Sequence, residues 1–115
     1  MKPMPADYIA YKRTPDFTDT NIPEALTRRH DTKPGAWAKI VVLEGALDYE
    51  VMTDPVRHYT VDAEHPGIIE QQLPHRVTPI QVPLRFYLEF YKQDETDAAA
   101  LVRAMDADLF TPPSQ

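Results

Sequence analysis

Prolines punctuate nearly every apolar run of this chain, and that pattern decides what it can fold into. Twelve of the 115 residues are proline and three are glycine. Proline has no amide proton for a sheet ladder and clashes inside a helix, so it marks strand ends, sheet edges and turns. Between the prolines lie short segments rich in Val, Ile, Tyr and Phe that alternate along the chain. Close spacing of such runs predicts an antiparallel all-β sandwich or small barrel.

The first 23 residues read as a proline-rich arm with one edge strand at Tyr8 to Tyr11. "EALTRRH" suits a helical turn or a strand, and the strand is preferred because the Pro34-Gly35 turn follows closely. In "AWAKIVVLEGALDYEVM", Trp37, Lys39, Val41 and Leu43 share one face, and Ala38, Ile40, Val42 and Glu44 share the other. Both faces are largely apolar, as in a central strand. Gly45 then interrupts, so Glu44-Gly45 is expected to be a bend or tight hairpin before a second strand over Ala46 to Met52. Pro66-Gly67 suits the centre of a type II turn. Short strands are expected at "IIE" and "HRVTPI", with "QQLP" a break between them and "LRFYLEFY" the most strongly β segment. Only "DETDAAALVRAMDADLF" reads as a helix, over about residues 95–110, with Ala98, Leu101, Val102 and Met105 on one stripe. The whole is expected to be a single domain over residues 1–115.

Charge and composition exclude several functions. Twelve basic against 18 acidic residues give a net charge of −6, with only Lys12-Arg13 and Arg28-Arg29 as adjacent basic pairs. No nucleic-acid partner is expected from that balance, because phosphate binding needs clustered Lys and Arg. There is no cysteine, hence no disulfide, thiolate metal site or thiol nucleophile. The single serine is Ser114, in the tail, so a serine triad has no natural place. No run approaches the roughly 20 apolar residues of a membrane span, and the N-terminus lacks the apolar run of a signal peptide. The chain is therefore expected to be cytoplasmic, without a membrane partner.

The stretch "EHPGIIEQQLPHRV" holds His65, Glu70 and His75. On a straight strand each five-residue interval would span about 17 Å and throw the paired side chains to opposite faces. Pro66-Gly67 and "QQLP" supply bends that allow Glu70 and His75 to flank one turn. A third ligand from His30 would complete a two-His, one-carboxylate set suited to zinc or non-haem iron. His65 stands at the rim as an additional member. His58 and Glu44 read as surface residues.

Three segments, "RRHDTKPGAWAKIVVLEGALDYEV", "EHPGIIEQQLPHRV" and "LRFYLEFY", together resemble the small cupin-like domain of the tellurite-resistance protein B (TehB) family. The resemblance covers roughly Tyr8 to Tyr91. It implies a cupin-like double-stranded β-helix, an antiparallel jelly-roll barrel, with a metal site inside. By position His30 and His75 match the family's recurrent histidines and Glu70 its carboxylate, with His65 matched in some members. Gln71 and Pro74 depart from the family's proline and aromatic, and Thr32 stands where a general cupin has a second histidine.

The expected function is that of a metal-binding cupin-like protein of the tellurite-resistance or stress-response type. It would bind an unidentified small molecule or carry out metal-dependent chemistry on it, with zinc as first cofactor and iron or nickel as alternatives. The alternative is a metal-free small-ligand module or a dimeric interaction module, and a homodimer is expected in either case. No glycine-rich nucleotide motif is present, so methyl transfer is not expected of this chain by itself.

Overall fold

The computed structural model describes residues 1–29 and 31–93. His30 and the helix expected over about residues 95–110 lie outside the described residues. Six strands form one antiparallel sheet: β1 (Tyr8–Arg13), β2 (Phe17–Thr18), β3 (Trp37–Val51), β4 (Arg57–Asp62), β5 (Gly67–Ile69) and β6 (His75–Gln93). The all-β, antiparallel expectation holds. Along the sheet the order is β1-β6-β3-β4, with β2 also on β6 and β5 also on β3.

The long strands β3 and β6 pair along their full length, from Trp37 opposite Tyr91 to Val51 opposite His75. "HRVTPI" and "LRFYLEFY" are thus parts of one strand. Pro79 stands within it opposite Leu47, because β6 there has a strand on one side only, where proline is tolerated. Glu44-Gly45 is a bend within β3 rather than a hairpin. Between Val42 and Leu47 the register shifts repeatedly, and three residues of β6 (82–84) oppose the single Gly45.

That bend turns the inner face over. Before it the buried residues of β3 include Ala38, Ile40 and Val42; after it they include Leu47, Tyr49 and Val51. β6 switches in the opposite sense, from His75 and Val77 to Leu84, Phe86 and Leu88. Extra residues in a ladder bend the strand and re-aim its side chains, which a period of two otherwise forbids.

The sheet is also folded over on itself. β5 pairs with the start of β3, Ile69 opposite Ala38, whereas β6 begins opposite its end, His75 opposite Val51. A straight strand from Ala38 to Val51 would measure about 43 Å. The connection from Ile69 to His75 reaches only about 20 Å when fully extended. The two halves of β3 must therefore lie across from one another, and the core fills the space between them. It contains Ile40, Leu47, Tyr49, Val61, Ile69, Val77, Leu84 and Phe86. Full burial of a side chain of this kind contributes about 1.5–3 kcal/mol before entropy is counted.

Two local expectations are corrected. "EALT" is a 3-10 helix, Glu24–Thr27, not a strand. Pro23 enters it with φ −55°, Leu26 N donates to the Pro23 carbonyl at 2.9 Å, and the helix buries Leu26 against the core. The type II turn falls at Pro34-Gly35 rather than Pro66-Gly67. Gly35 takes φ +78° and Ala36 N closes the turn onto the Lys33 carbonyl, while Gly67 opens β5. Among the described residues no helix is long and apolar enough to cross a membrane.

Candidate functional site

A cavity of about 490 Å³ opens between the second half of β3 with β4 and the segment from β5 into β6. Its apolar walls are Val51, Ile68 and Leu73, joined by the rings of Tyr49 and Tyr59, whose centroids lie 6.0 Å apart. Register explains the aromatic wall: Tyr49 and Tyr59 are direct cross-strand partners on β3 and β4. Arg57, Thr53 and Glu70 bring polar groups to the same space, and Met1 to Pro3 lie across its mouth.

The N-terminal segment is held there by three contacts. The Met1 ammonium donates to the Tyr59 hydroxyl at 3.1 Å, Ile68 N donates to Met1 Sδ at 3.1 Å, and Lys2 Nζ lies 3.4 Å from Glu70 Oε2. Glu70 is thus a cavity-facing carboxylate with a cation beside it. The turn that carries it is tied to the segment before β3. Thr32 Oγ1 donates to the Glu70 carbonyl at 3.0 Å, Gln72 N donates to the Thr32 carbonyl at 2.9 Å, and Gly35 N donates to Gln71 Oε1 at 2.6 Å. Gln72 takes φ +55° to make this turn, the break expected at "QQLP".

His75 is the one polar or charged side chain among the buried described residues, 1% exposed. Its Nδ1 donates to the Leu73 carbonyl at 2.7 Å, and its ring meets Tyr49 edge-on at 5.9 Å. Tyr49 is the common neighbour of Glu70 and His75, two of the expected ligands. Burial pushes its hydroxyl far above the ordinary tyrosine value, and the charges of Tyr59 and Glu70 add to that. The hydroxyl donates to the Ile68 carbonyl at 3.1 Å.

His65 stands apart, on the turn between β4 and β5, with its ring 71% exposed. Its Nδ1 lies 2.8 Å from Asp62 Oδ1, which also accepts from the backbone of Glu64 and His65. The hydrogen bond from His65 holds the Asp62 carboxyl below the ordinary aspartate range. Glu44 and His58 are exposed, as expected.

Among the described residues, the group of three donor side chains that does come together is one the sequence reading passed over. Ligand atoms of Asp48, Glu50 and His58 lie within 4.8 Å of one another. Glu50 pairs with His58 across the β3–β4 ladder, and His58 Nδ1 lies 3.0 Å from Asp48 Oδ2. Arg76 on β6 meets Glu50 from the other side at 2.7 Å. These residues form a cross-strand charge ladder, in which a guanidinium already occupies one carboxylate. The signal was the alternation Asp48-x-Glu50, but only the register of the β3–β4 hairpin sets His58 beside it.

The family model described as the TehB-like domain matches residues 12–88, most of the described sheet. The chain belongs to the TehB-like domain family. Over 96 residues it is 32% identical to a probable S-adenosyl-L-methionine-dependent methyltransferase TehB of Haemophilus influenzae strain Rd, and 30% identical to its counterpart in strain 10810. Each alignment takes in 80% of this chain and 34% of the relative, so the chain spans about a third of their length. The crystal structure of TehB from Haemophilus influenzae superposes with a TM-score of 0.74 at 29% identity, over 95% of this chain and 42% of that one. A crystal structure of an Escherichia coli K12 protein superposes with the same TM-score at 21% identity, over 83% of this chain and all of that one, and shares the fold. Within this TehB-like chain the matched region contains Glu70, His75, Arg57 and both cavity tyrosines.

Proposed function

We propose that this TehB-like domain is a small-molecule-binding module of the tellurite-resistance or stress-response type, with its ligand in the cavity between the halves of the sheet. The observation that carries the reading is the cavity itself: apolar and aromatic walls with a few polar groups aimed inward, in the range of about 300–1,000 Å³ usual for small-molecule sites. The folded-over sheet supports the finer assignment of a cupin-like double-stranded β-helix. Methyl transfer, the activity in the name of the Haemophilus relatives, is not assigned to this domain, because its three scattered glycines build no nucleotide-binding loop. The same reading places the domain in the cytoplasm and pairs it as a homodimer through an open sheet edge.

A fragment screen followed by amide chemical shifts tests the proposal. Hits are expected to move the resonances of Tyr59, Ile68, Glu70 and Leu73 together. Leu73→Trp, which fills the cavity, is expected to abolish those hits while the rest of the spectrum holds. Hits scattered over the surface, or unaffected by Leu73→Trp, would sink it.

A second reading adds a divalent metal, zinc first with iron or nickel as alternatives, held by His30, Glu70 and His75. His75 favours it, since an imidazole whose Nδ1 donates to a carbonyl is fixed in tautomer and ring orientation, as metal-ligating histidines are. The donor set suits zinc, and the Thr32 ties bring the chain two residues beyond His30 to the backbone of Glu70. Against it, Lys2 competes for the Glu70 carboxylate. A bound metal would supply Lewis-acid polarisation of the ligand.

A further inference from the structure

We propose that the cavity selects a small organic anion, an apolar or aromatic body carrying one carboxylate-like group, and that Arg57 is the residue that receives the charge. This rests on the cavity being the binding site.

The argument begins with the balance of charge at the mouth. Glu70 is the acidic residue that lines the cavity, and Lys2 stands beside it at 3.4 Å, so that pair is locally neutral. Arg57 lines the same space, and its guanidinium has no hydrogen bond or ion pair within the described residues. The other arginines of the described chain each meet a carboxylate: Arg13 and Arg85 at Asp16, Arg28 at Glu24, Arg29 at Asp31 and Arg76 at Glu50. In a chain of net charge −6, one arginine beside a cavity with no acid partner among the described residues is suited to receive an anion.

Arg57 is also well placed to be read by a ligand. It opens β4 opposite Val51 and two residues before Tyr59, so the ladder fixes its Cα on the face that lines the cavity. A guanidinium takes a carboxylate through two parallel N–H donors, which gives orientation as well as attraction. In the same cavity Leu73, Ile68, Val51 and the Tyr49–Tyr59 wall offer contact to an apolar body rather than to a second charge. A cationic ligand would meet Arg57, Lys2 and the Met1 ammonium with Glu70 alone to offset them. A neutral one would gain the apolar walls and leave Arg57 unused.

Three probes of one shape separate these cases: 3-phenylpropionate, 3-phenylpropionamide and 3-phenylpropylamine, titrated into the full chain and followed at the amides of Tyr59 and Leu73. The carboxylate is expected to bind about tenfold more tightly than the amide, the scale of one charge-assisted hydrogen-bonded pair. Arg57→Gln, an exposed position that the fold does not need, is expected to remove that preference and leave amide binding unchanged. Glu70→Gln is expected to strengthen carboxylate binding by taking away a like charge. Equal binding of all three probes, or an Arg57→Gln chain that still prefers the carboxylate, would overturn the inference and leave the cavity reading standing. If no probe shifts either amide, this inference fails, and the fragment screen with Leu73→Trp decides the cavity reading by itself.

Discussion

The Tyr49 hydroxyl donates a 3.1 Å hydrogen bond to the carbonyl of Ile68, and the bond crosses from one half of the folded sheet to the other. Tyr49 sits past the bend of β3, whereas Ile68 pairs with Lys39 before it. Tyr49→Phe keeps the ring and leaves a carbonyl without its donor. The expected cost is about 1–2 kcal/mol, read as a lower urea midpoint at unchanged slope.

The same hydroxyl makes stability depend on pH. An unfolded tyrosine releases its proton near pH 10, while burial keeps the proton on Tyr49 in the folded chain. Above that pH the unfolded state binds fewer protons, so the unfolding free energy falls as pH rises, by up to about 1.4 kcal/mol per unit. The contribution is complete below about pH 10 and is lost as pH climbs toward the folded value. Tyr91, pushed up to about 12 by its hydrogen bond to Glu89, acts in the same direction. Denaturant melts from pH 8 to 11 should show the decline, and Tyr49→Phe should make it shallower.

Two glycines share φ +78° but should respond very differently to alanine. A Cβ on Gly45 would stand 2.4 Å from the carbonyl oxygens of both Gln81 and Pro83, which are backbone atoms that cannot swing aside. Gly45→Ala is expected to cost about 3 kcal/mol or more. Gly35→Ala meets nothing within 4 Å, so only the left-handed conformation is penalised, at about 1 kcal/mol. Paired thermal melts of the two variants give the comparison, and equal losses would show that the bend in β3 tolerates a side chain.

His65 should be legible through Asp62 rather than through a metal. Its hydrogen bond is the largest cause of the low pKa of the Asp62 carboxyl. In His65→Ala that carboxyl is expected to titrate closer to the ordinary aspartate value, as followed by carboxyl-carbon NMR. An unchanged titration would mean that the backbone donors of Glu64 and His65 account for the shift.

The metal reading yields its own measurement. Tag-free protein reconstituted with zinc is expected to hold it and to melt higher, since a ligand present at 100 times its dissociation constant adds about 2.7 kcal/mol. His75→Ala should weaken zinc binding at least tenfold, the loss typical even of a supporting partner. Less than about a tenth of an equivalent of zinc, iron or nickel after reconstitution would remove metal from the proposal.

Strand content was legible because alternation reports directly on a half-buried sheet, as at Ala38, Ile40 and Val42. The switch of inner face beyond Gly45 was not, since Leu47 and Tyr49 alternate just as well in either register. "HRVTPI" and "LRFYLEFY" read as separate strands, yet β6 runs through both, and through Pro79 and Pro83, where its far side has no strand. Pro23 tipped "EALT" toward a 3-10 turn, a preference that the nearby Pro34-Gly35 turn had masked. At the site, His75 and Glu70 were singled out from neighbouring bends. Arg57 carried no sequence signal, because having no acid partner among the described residues is a property of the folded surface. Asp48, Glu50 and His58 were hidden for a related reason: their proximity is set by hairpin register.

The pairing of Tyr8 with Gln93 has a consequence for how the chain is made. Among the described residues β1 and β2 pair only with the second half of β6, so these early strands have no strand partner until that late one has emerged. β3, β4 and β5 can assemble among themselves beforehand, with the edge of β3 still open. Until residues beyond Arg85 leave the ribosome, that edge and the two waiting strands are exposed to other chains. The charges of Lys12 and Arg13 on β1 and the prolines on either side of it are suited to keep that interval unsticky.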